Sequence, residues 1–172
     1  AQVSVHADRF AGEPAAEKIA RLQKRLAEKN IDAAVLTQAG SIAWLLNIRG
    51  GDVAHNPVAL AFALLPREGK PELFIDGRKL SNSIRAEVSE RADIRAPADL
   101  LPALAALGAR QAKVLVDPRS AAVAVATAVR DAGGAVVEGD DPVILPRATK
   151  NATEIAGARR AHVRDGAAMV RF

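Results

Sequence analysis

The segment from Arg49 to Asn56 holds a dense group of side chains that could bind a ligand. A cation, an anion, an imidazole and an amide occur within eight positions, at Arg49, Asp52, His55 and Asn56. Gly50-Gly51 permits unusual backbone angles and Pro57 disfavours helix before it, so the segment is predicted to be a loop. Its simplest interpretation is a solvated loop in which Asp52 caps a turn and pairs with Arg49. Whether it also lines a cleft depends on what it faces.

The remaining sequence offers no pattern typical of catalysis or metal binding. The three histidines, His6, His55 and His162, are far apart and lack HExxH or paired-carboxylate spacing. There is no GxSxG nucleophile elbow and no phosphate loop. The absence of cysteine excludes thiol catalysis and thiolate metal sites. Asp117 and Asp140-Asp141 stand before prolines and are interpreted as turn residues. We predict that this chain contains no catalytic residue, no metal ligand and no cofactor.

The composition and charge of the chain limit the classes of partner that are expected for it. The formal net charge is +4 with a sequence pI of about 9.8, but the basic residues are scattered and aromatic residues make up only 3%. Nucleic-acid binding, which needs a clustered basic surface and stacking aromatics, is therefore not expected. No apolar run approaches the roughly 20 residues of a membrane span. The first residues have neither a basic nor an apolar signal region, which favours a cytoplasmic location.

Hydrophobic periodicity and turn residues predict an α/β domain with a mixed sheet covered by helices. A hairpin is expected from strands 58–65 and 73–75 around the turn at 66–71. Trp44 is predicted to belong to the core. The other predicted strands are 31–37, a short one near 94, 113–116 and 135–138. The predicted helices are 14–29, 41–46, 79–90, 97–107 and 120–132.

The last thirty residues have a different character. Pro142 and Pro146 mark a linker, and Asn151 with Glu154 has the form of a capping box that starts a helix running to Phe172 without a stop signal. Apolar residues of this helix have no later partners in the sequence, namely Ile155, Val163, Met169 and Val170. We therefore expect the chain to be a piece of a longer protein.

Three segments in order resemble the three-domain Xaa-Pro aminopeptidases. The first is Ala43–Asp52 with the His55–Val58 that follows, similar to a segment of that family's middle domain. The second is Ile144–Asn151, similar to its hinge. The third is Glu154–Met169, similar to the opening helix of its catalytic domain. The order and spacing make the resemblance more specific than any single segment.

The resemblance implies a division at residue 146. Residues 1–146 would be a creatinase/prolidase N-terminal-type domain, a three-layer α/β/α fold with a mixed sheet of five to six strands, ribonuclease H-like. Residues 147–172 would be the hinge and first helix of a pita-bread catalytic domain. That domain's five metal ligands, for two divalent ions that are commonly manganese, lie outside these residues. Family members cleave peptides with proline second and are commonly homodimers. Because the metal ligands lie outside these residues, the chain alone is expected to cleave nothing.

The resemblance also gives the loop a second interpretation, in which Arg49, Asp52, His55 and Asn56 face the catalytic domain and narrow its cleft. Asp52 and Asn56 would provide acceptors near the cationic amino terminus of a substrate. Arg49 or His55 would balance negative charge developing on the peptide oxygen. Two other functions stay open at this point: a purely structural or dimerisation module, and a free-standing α/β domain that binds a small molecule.

Overall fold

The computed structural model describes residues 1–172 and contains eight strands and eight α-helices. The strands are β1 (Ser4–Val5), β2 (Ala33–Leu36), β3 (Ile48–Arg49), β4 (Phe62–Pro66), β5 (Glu72–Phe74), β6 (Asp93–Arg95), β7 (Lys113–Val116) and β8 (Ala135–Glu138). The α-helices are α1 (Asp8–Ala11), α2 (Ala15–Glu28), α3 (Ala39–Leu45), α4 (Asn82–Arg91), α5 (Leu100–Ala109), α6 (Val123–Asp131), α7 (Ile144–Ala148) and α8 (Ala152–Arg171). None of the helices combines the length and apolarity needed to cross a membrane.

Six strands form one mixed sheet in the order β6-β5-β4-β2-β7-β8. β4 pairs antiparallel with both β2 and β5, whereas the β5–β6, β2–β7 and β7–β8 pairs are parallel. The predicted hairpin is confirmed, with Phe62 opposite Phe74. The parallel pairs need crossover connections, and helices provide them.

The two faces of the sheet bury separate apolar clusters because successive strand residues point to opposite sides. On β2, Ala34 and Leu36 pack with α2, α3 and α4, while Ala33 and Val35 pack with α5 and α6. The alternation repeats on β4, β5 and β7. Helices therefore cover both faces, and the predicted three-layer α/β/α fold with a mixed sheet is confirmed.

Helix α2 shows how the sequence specifies one of these layers. It confirms the helix predicted at 14–29, and its apolar stripe, Ile19, Leu22 and Leu26, is buried against the sheet. Complete burial of such a side chain contributes about 1.5–3 kcal/mol relative to exposure. Pro14 precedes the first helical residue, where its fixed φ suits the start and its missing N–H breaks no helical hydrogen bond.

The structure corrects two predicted elements and adds one that was not predicted. The first hairpin strand begins at Phe62, not at residue 58, because residues 57–61 run alongside the Arg49 loop. The predicted linker at 142–146 contains the start of α7, with Pro146 inside that short helix. A separate two-stranded antiparallel sheet, β1 with β3, was not predicted; it places Arg49 opposite Ser4.

Helix α8 is attached to the domain through its first turn. Asn151 and Glu154 form the predicted capping box, and the Asn151 amide also donates to the Ala11 carbonyl at 2.7 Å. Gly12 ends α1 with φ +72°, and a Cβ there would overlap Asn151 and Thr153. No residue of α8 is buried, so most of this helix projects from the domain.

Candidate binding cavity

Residues 49–58 form a tight loop after β3. The Gly50 N–H donates to the Pro57 carbonyl at 3.2 Å, and the Asp52 N–H donates to the Val58 carbonyl at 3.1 Å. His55 occupies the exposed turn with φ 60°. This backbone separates the four predicted site residues: Arg49 and Asn56 line a cavity, whereas Asp52 and His55 do not.

Asp52 lies at the centre of an internal ion cluster. Its carboxylate accepts hydrogen bonds from the Lys79 ammonium at 2.5 Å, the Ala1 ammonium at 2.9 Å and the Leu60 N–H at 2.8 Å. We call these four groups the Asp52 cluster. The Lys79 hydrogen bond, followed by those from the amino terminus and Leu60, holds the pKa of Asp52 far below its usual range. The carboxylate stays ionised and fixes this loop to the residues before α4.

The predicted pairing of Arg49 with Asp52 is wrong. The Arg49 guanidinium donates to the Ile48 carbonyl at 2.9 Å and to the Ala43 carbonyl at 3.4 Å, and it forms no ion pair. Burial lowers the pKa of Arg49, opposed by the carboxylate of Glu154. Arg49 and Asp52 are only three positions apart in the loop, yet their charged groups contact different neighbours.

The cavity beside Arg49 has a volume of about 520 Å³. One wall comes from α3, including Gly40 and Trp44, and another from Asn56 and the two residues after it. The far wall is the segment from Arg147 to the first turns of α8. The cavity therefore lies at the junction between the α/β domain and its projecting helix.

Four basic side chains, Arg49, Arg147, Lys150 and Arg160, line this space, which we call the cationic cavity. None of them forms an ion pair, although ten ion pairs occur elsewhere in the chain. Glu154 is the single acidic residue in the lining. Its Oε2 accepts the Asn151 N–H at 2.9 Å as part of the helix cap.

The electrostatic field of the cavity's positive charges acts on His6, which also lines the cavity. Burial lowers the pKa of His6, and the positive charges of Arg49 and then Lys18 lower it further. A neutral imidazole is therefore favoured there, consistent with an excess of positive charge.

Trp44 connects the cavity to the core, confirming the predicted core position while also lining the space. The Lys18 ammonium lies 4.3 Å from the centre of its ring and donates to the Trp44 carbonyl at 3.0 Å and to Asn47 Oδ1 at 2.7 Å. Burial lowers the pKa of Lys18, with the charge of Glu13 opposing it. The indole Nε1 is buried without an acceptor.

Sequence reasoning missed Arg147, Lys150 and Arg160 as site residues because they lie about a hundred positions from Arg49. The only sequence signal was their place in the hinge-like segment and the helix that follows it. No group of three or more His, Cys, Asp or Glu side chains is placed to share a metal ion. The cavity's chemistry is that of anion binding.

Comparisons with known proteins agree with this architecture. The chain is 32% identical over 165 residues to Xaa-Pro aminopeptidase 1 of Dictyostelium discoideum, covering 96% of this chain and 26% of that protein. It is 35% identical over 169 residues to a probable Xaa-Pro aminopeptidase P of Laccaria bicolor, covering 95% of this chain and 26% of that protein. The chain thus spans about a quarter of the length of these relatives.

Solved structures show the same relationship. An X-prolyl aminopeptidase from Caenorhabditis elegans, described as a cytosolic enzyme with a di-nuclear active site, superposes with a TM-score of 0.88 at 29% identity. The match covers 99% of this chain and 28% of that enzyme. The prolidase from Pyrococcus horikoshii gives a TM-score of 0.60 at 16% identity over 89% of this chain and 41% of its own, which shows a shared fold.

The family follows from the sequence match and the fold together. Residues 1–154 match the creatinase/prolidase N-terminal domain, and this match together with the aminopeptidase relatives confirms the family resemblance. The boundary at 146/147 stays a prediction. With its helix-covered mixed sheet and its match over most of its length, this chain belongs to the creatinase/prolidase N-terminal domain family.

Proposed function

We propose that this domain covers, orients and restricts the active-site cleft of an attached metallopeptidase domain that removes N-terminal residues preceding proline. Relatives that carry the name Xaa-Pro aminopeptidase match 95–96% of this chain and are about four times longer. The remaining length of such a protein has room for a catalytic domain. The chain itself would contribute no catalytic group.

The position of the cationic cavity is the observation that carries this proposal. The cavity lies between the Arg49 loop and the first turns of α8, and α8 then continues with exposed apolar side chains such as Val163 and Met169. A domain packed against α8 would lie over the same face as the loop. Arg49 and Asn56 would then face the space between the two domains.

Restriction of a cleft has a direct physical effect on peptide hydrolysis. A second domain over the active site excludes long or folded substrates and removes water, which strengthens electrostatic interactions with the reacting peptide. In this arrangement Arg49 and Asn56 contact the substrate side of the cleft. Asp52 holds the loop in place through its internal cluster, and His55 lies at the loop's exposed tip.

The chemistry of the whole protein follows from the same proposal. The residues of this chain do not form a site for the two divalent ions expected in an Xaa-Pro aminopeptidase, so these ions, manganese in our proposal, would be held by the catalytic domain. We also propose a cytoplasmic homodimer acting on peptides with proline second, without nucleic-acid or membrane partners.

A free-standing small-molecule domain is less well supported by the cavity. Such a domain would be expected to have a deep apolar pocket in a sheet face. The cavity beside Arg49 has four basic side chains in its lining and lies at the edge of the domain, beside α8, not in a sheet face. A purely structural module predicts that substitutions in the loop leave catalysis unchanged.

The test compares Arg49→Ala and His55→Ala in the full-length protein with Arg110→Ala, an exposed arginine without an ion pair at the end of α5. We expect kcat/KM for an Xaa-Pro peptide to fall by about 5- to 150-fold for Arg49→Ala, the cost of about 1–3 kcal/mol for one lost contact. His55→Ala is expected to have the smaller effect. The Arg110 control should match the wild type.

Two further measurements complete this test. The melting temperature of the 172-residue chain carrying Arg49→Ala should stay close to that of the unsubstituted chain, because its lost partners are two carbonyl groups. The unsubstituted chain should release no amino acid from an Xaa-Pro peptide with Mn²⁺ added. Unchanged kcat/KM in both full-length variants would remove the cleft-lining role and leave a scaffold.

A further inference from the structure

Arg147 is a cation of the cationic cavity that has no partner in the chain. Its side chain is half-buried, yet its guanidinium donates no hydrogen bond and forms no ion pair within the chain. It lies directly on Gly40 of α3, where a Cβ would overlap the guanidinium. Asp141 is the acid that feels its charge, but burial raises the pKa of Asp141 and no ion pair forms. Its five N–H donors thus have no acceptor within the chain.

The other basic residues of the cavity also form no ion pair, although the charge of Glu154 acts on Arg49. Arg49 donates only to two carbonyl groups, Lys150 only to the Arg147 carbonyl, and Arg160 to no group in the chain. Glu154 is committed to the α8 cap. Guanidinium groups that converge on one space form bidentate hydrogen bonds with carboxylates, which gives both strength and orientation.

Trp44 is a further unpaired donor among the residues that line the cavity. Trp44 is 8% exposed and lines the cavity, and its indole N–H is buried without a partner. An indole N–H is a donor only, so the group that completes it must be an acceptor. Buried polar groups in folded proteins are almost always paired.

The cavity continues onto the uncovered side of α8. An adjoining space is lined by Phe10, Arg160, Val163 and Arg164. Covering this face with another domain would remove water from several cations at once, which costs several kcal/mol per ion unless an anion arrives with the covering surface. The covering surface must therefore be acidic where it meets the cavity.

We propose that the cationic cavity is a carboxylate-binding site, filled in the assembled protein by an acidic side chain of the domain that packs on α8. This inference rests on the proposed function, since it takes the covering surface to be the attached catalytic domain. The carboxylate would accept hydrogen bonds from Arg147 and Arg49 and lie close to Arg160. The site would thereby lock the orientation of the two domains.

The first experiment measures hydrogen exchange of α8 in the full-length protein and in the 172-residue chain. Arg147→Met and Arg160→Met replace each arginine with a long apolar side chain that has no N–H donor, and Arg110→Met is the control. In the full-length protein Arg147→Met should lower the protection of α8 by roughly 10- to 150-fold, the loss of one hydrogen bond to a charged group, and Arg160→Met, which removes a nearby charge, should lower it by less. In the 172-residue chain α8 protection should be the same in all variants.

The second experiment tests the chemistry on the 172-residue chain. Acetyl-Gly-Glu-Gly-amide and its glutamine counterpart are titrated while the Trp44 indole N–H resonance is followed by NMR. We expect saturable shifts with the glutamate peptide only, with a Kd on the order of 1 mM, and their loss in Arg147→Met. Equal responses to both peptides would overturn carboxylate recognition.

The third experiment separates the sources of the carboxylate. If the site takes the carboxyl terminus of a substrate, Arg147→Met in the full-length protein should raise KM for Xaa-Pro peptides with a free carboxylate but not for their amides, while α8 protection is unchanged. That outcome, or full-length protection unaffected by both cavity variants, overturns the proposed occupant. Unchanged kinetics for Arg49→Ala and His55→Ala together with reduced α8 protection would instead remove the cleft role and keep the interdomain site.

Discussion

Asp52, the centre of the Asp52 cluster, and Arg49, which lines the cationic cavity, lie three positions apart on one loop. The two regions differ in how their charges are paired. Asp52 is nearly buried and has two cations and a backbone N–H around it. Arg49 faces a space lined by three other basic side chains and by the carboxylate of Glu154, which accepts a hydrogen bond in the α8 cap. A cluster paired within the domain contributes to its stability, whereas unpaired charges in a cavity are available to a ligand or a second domain.

The largest effect should come from breaking the paired region. Asp52→Ala leaves the Lys79 ammonium without its carboxylate, and loss of one partner from a largely buried pair costs about 3 kcal/mol. Urea unfolding of the 172-residue chain measures this change. Asp140→Ala is the matched control, because that side chain is 82% exposed and pairs only with an Arg119 side chain that is 65% exposed, and it should be nearly silent. Equal unfolding curves for the two variants would contradict a structural role for the Asp52 cluster.

A second, smaller effect is expected in acid. The pKa of Asp52 is far below its usual range, and the Arg119 side chain, with the Asp141 and Arg119 N–H groups, lowers the pKa of Asp117 to about 2. Because both folded-state pKa values lie below the unfolded values, the unfolded chain binds more protons in acid. Stability from these groups is present above about pH 4 and falls by about 2 kcal/mol on the way to pH 2.

Urea unfolding at pH 7, 4, 3 and 2 measures this dependence, with Asp52→Asn as the comparison. The asparagine variant keeps the shape of the side chain but does not titrate, so its stability should change less over the same range. A pH dependence identical to that of the wild type would show that Asp52 is not the group responsible.

The smallest expected effect concerns the far wall of the cavity. Helix α8 is held at its capping box and projects beyond it without a buried residue, so it lacks the tertiary packing that stabilises most helices in proteins. Hydrogen exchange of the 172-residue chain should show little protection from about Ala156 onward, with local opening free energies near zero, against strong protection in β2 and β4. Strong protection of α8 in a demonstrated monomer would assign this helix to the present domain.

The regular elements of the fold could be predicted from local signals. Helix α2, the hairpin of β4 and β5 and the Asn151 capping box each depend on residues close together in the sequence, and each is confirmed. The β1–β3 pair escaped prediction because each strand has two residues, too few for a period to be visible. The helix at Ile144–Ala148 was taken for a linker because Pro146 normally argues against helix, although the first turn of a helix tolerates it.

The sequence by itself determined the fold class, the family and the presence of a polar loop at Arg49–Asn56, because these depend on periodicity, turn residues and segments read along the chain. Only the tertiary structure decided the electrostatics. It brought Lys79 to Asp52 in place of Arg49, and it brought Arg147 and Arg160 to the cavity from about a hundred positions away. Ion pairing depends on distances in space between flexible side chains, and sequence spacing sets those distances only within a single turn or helix.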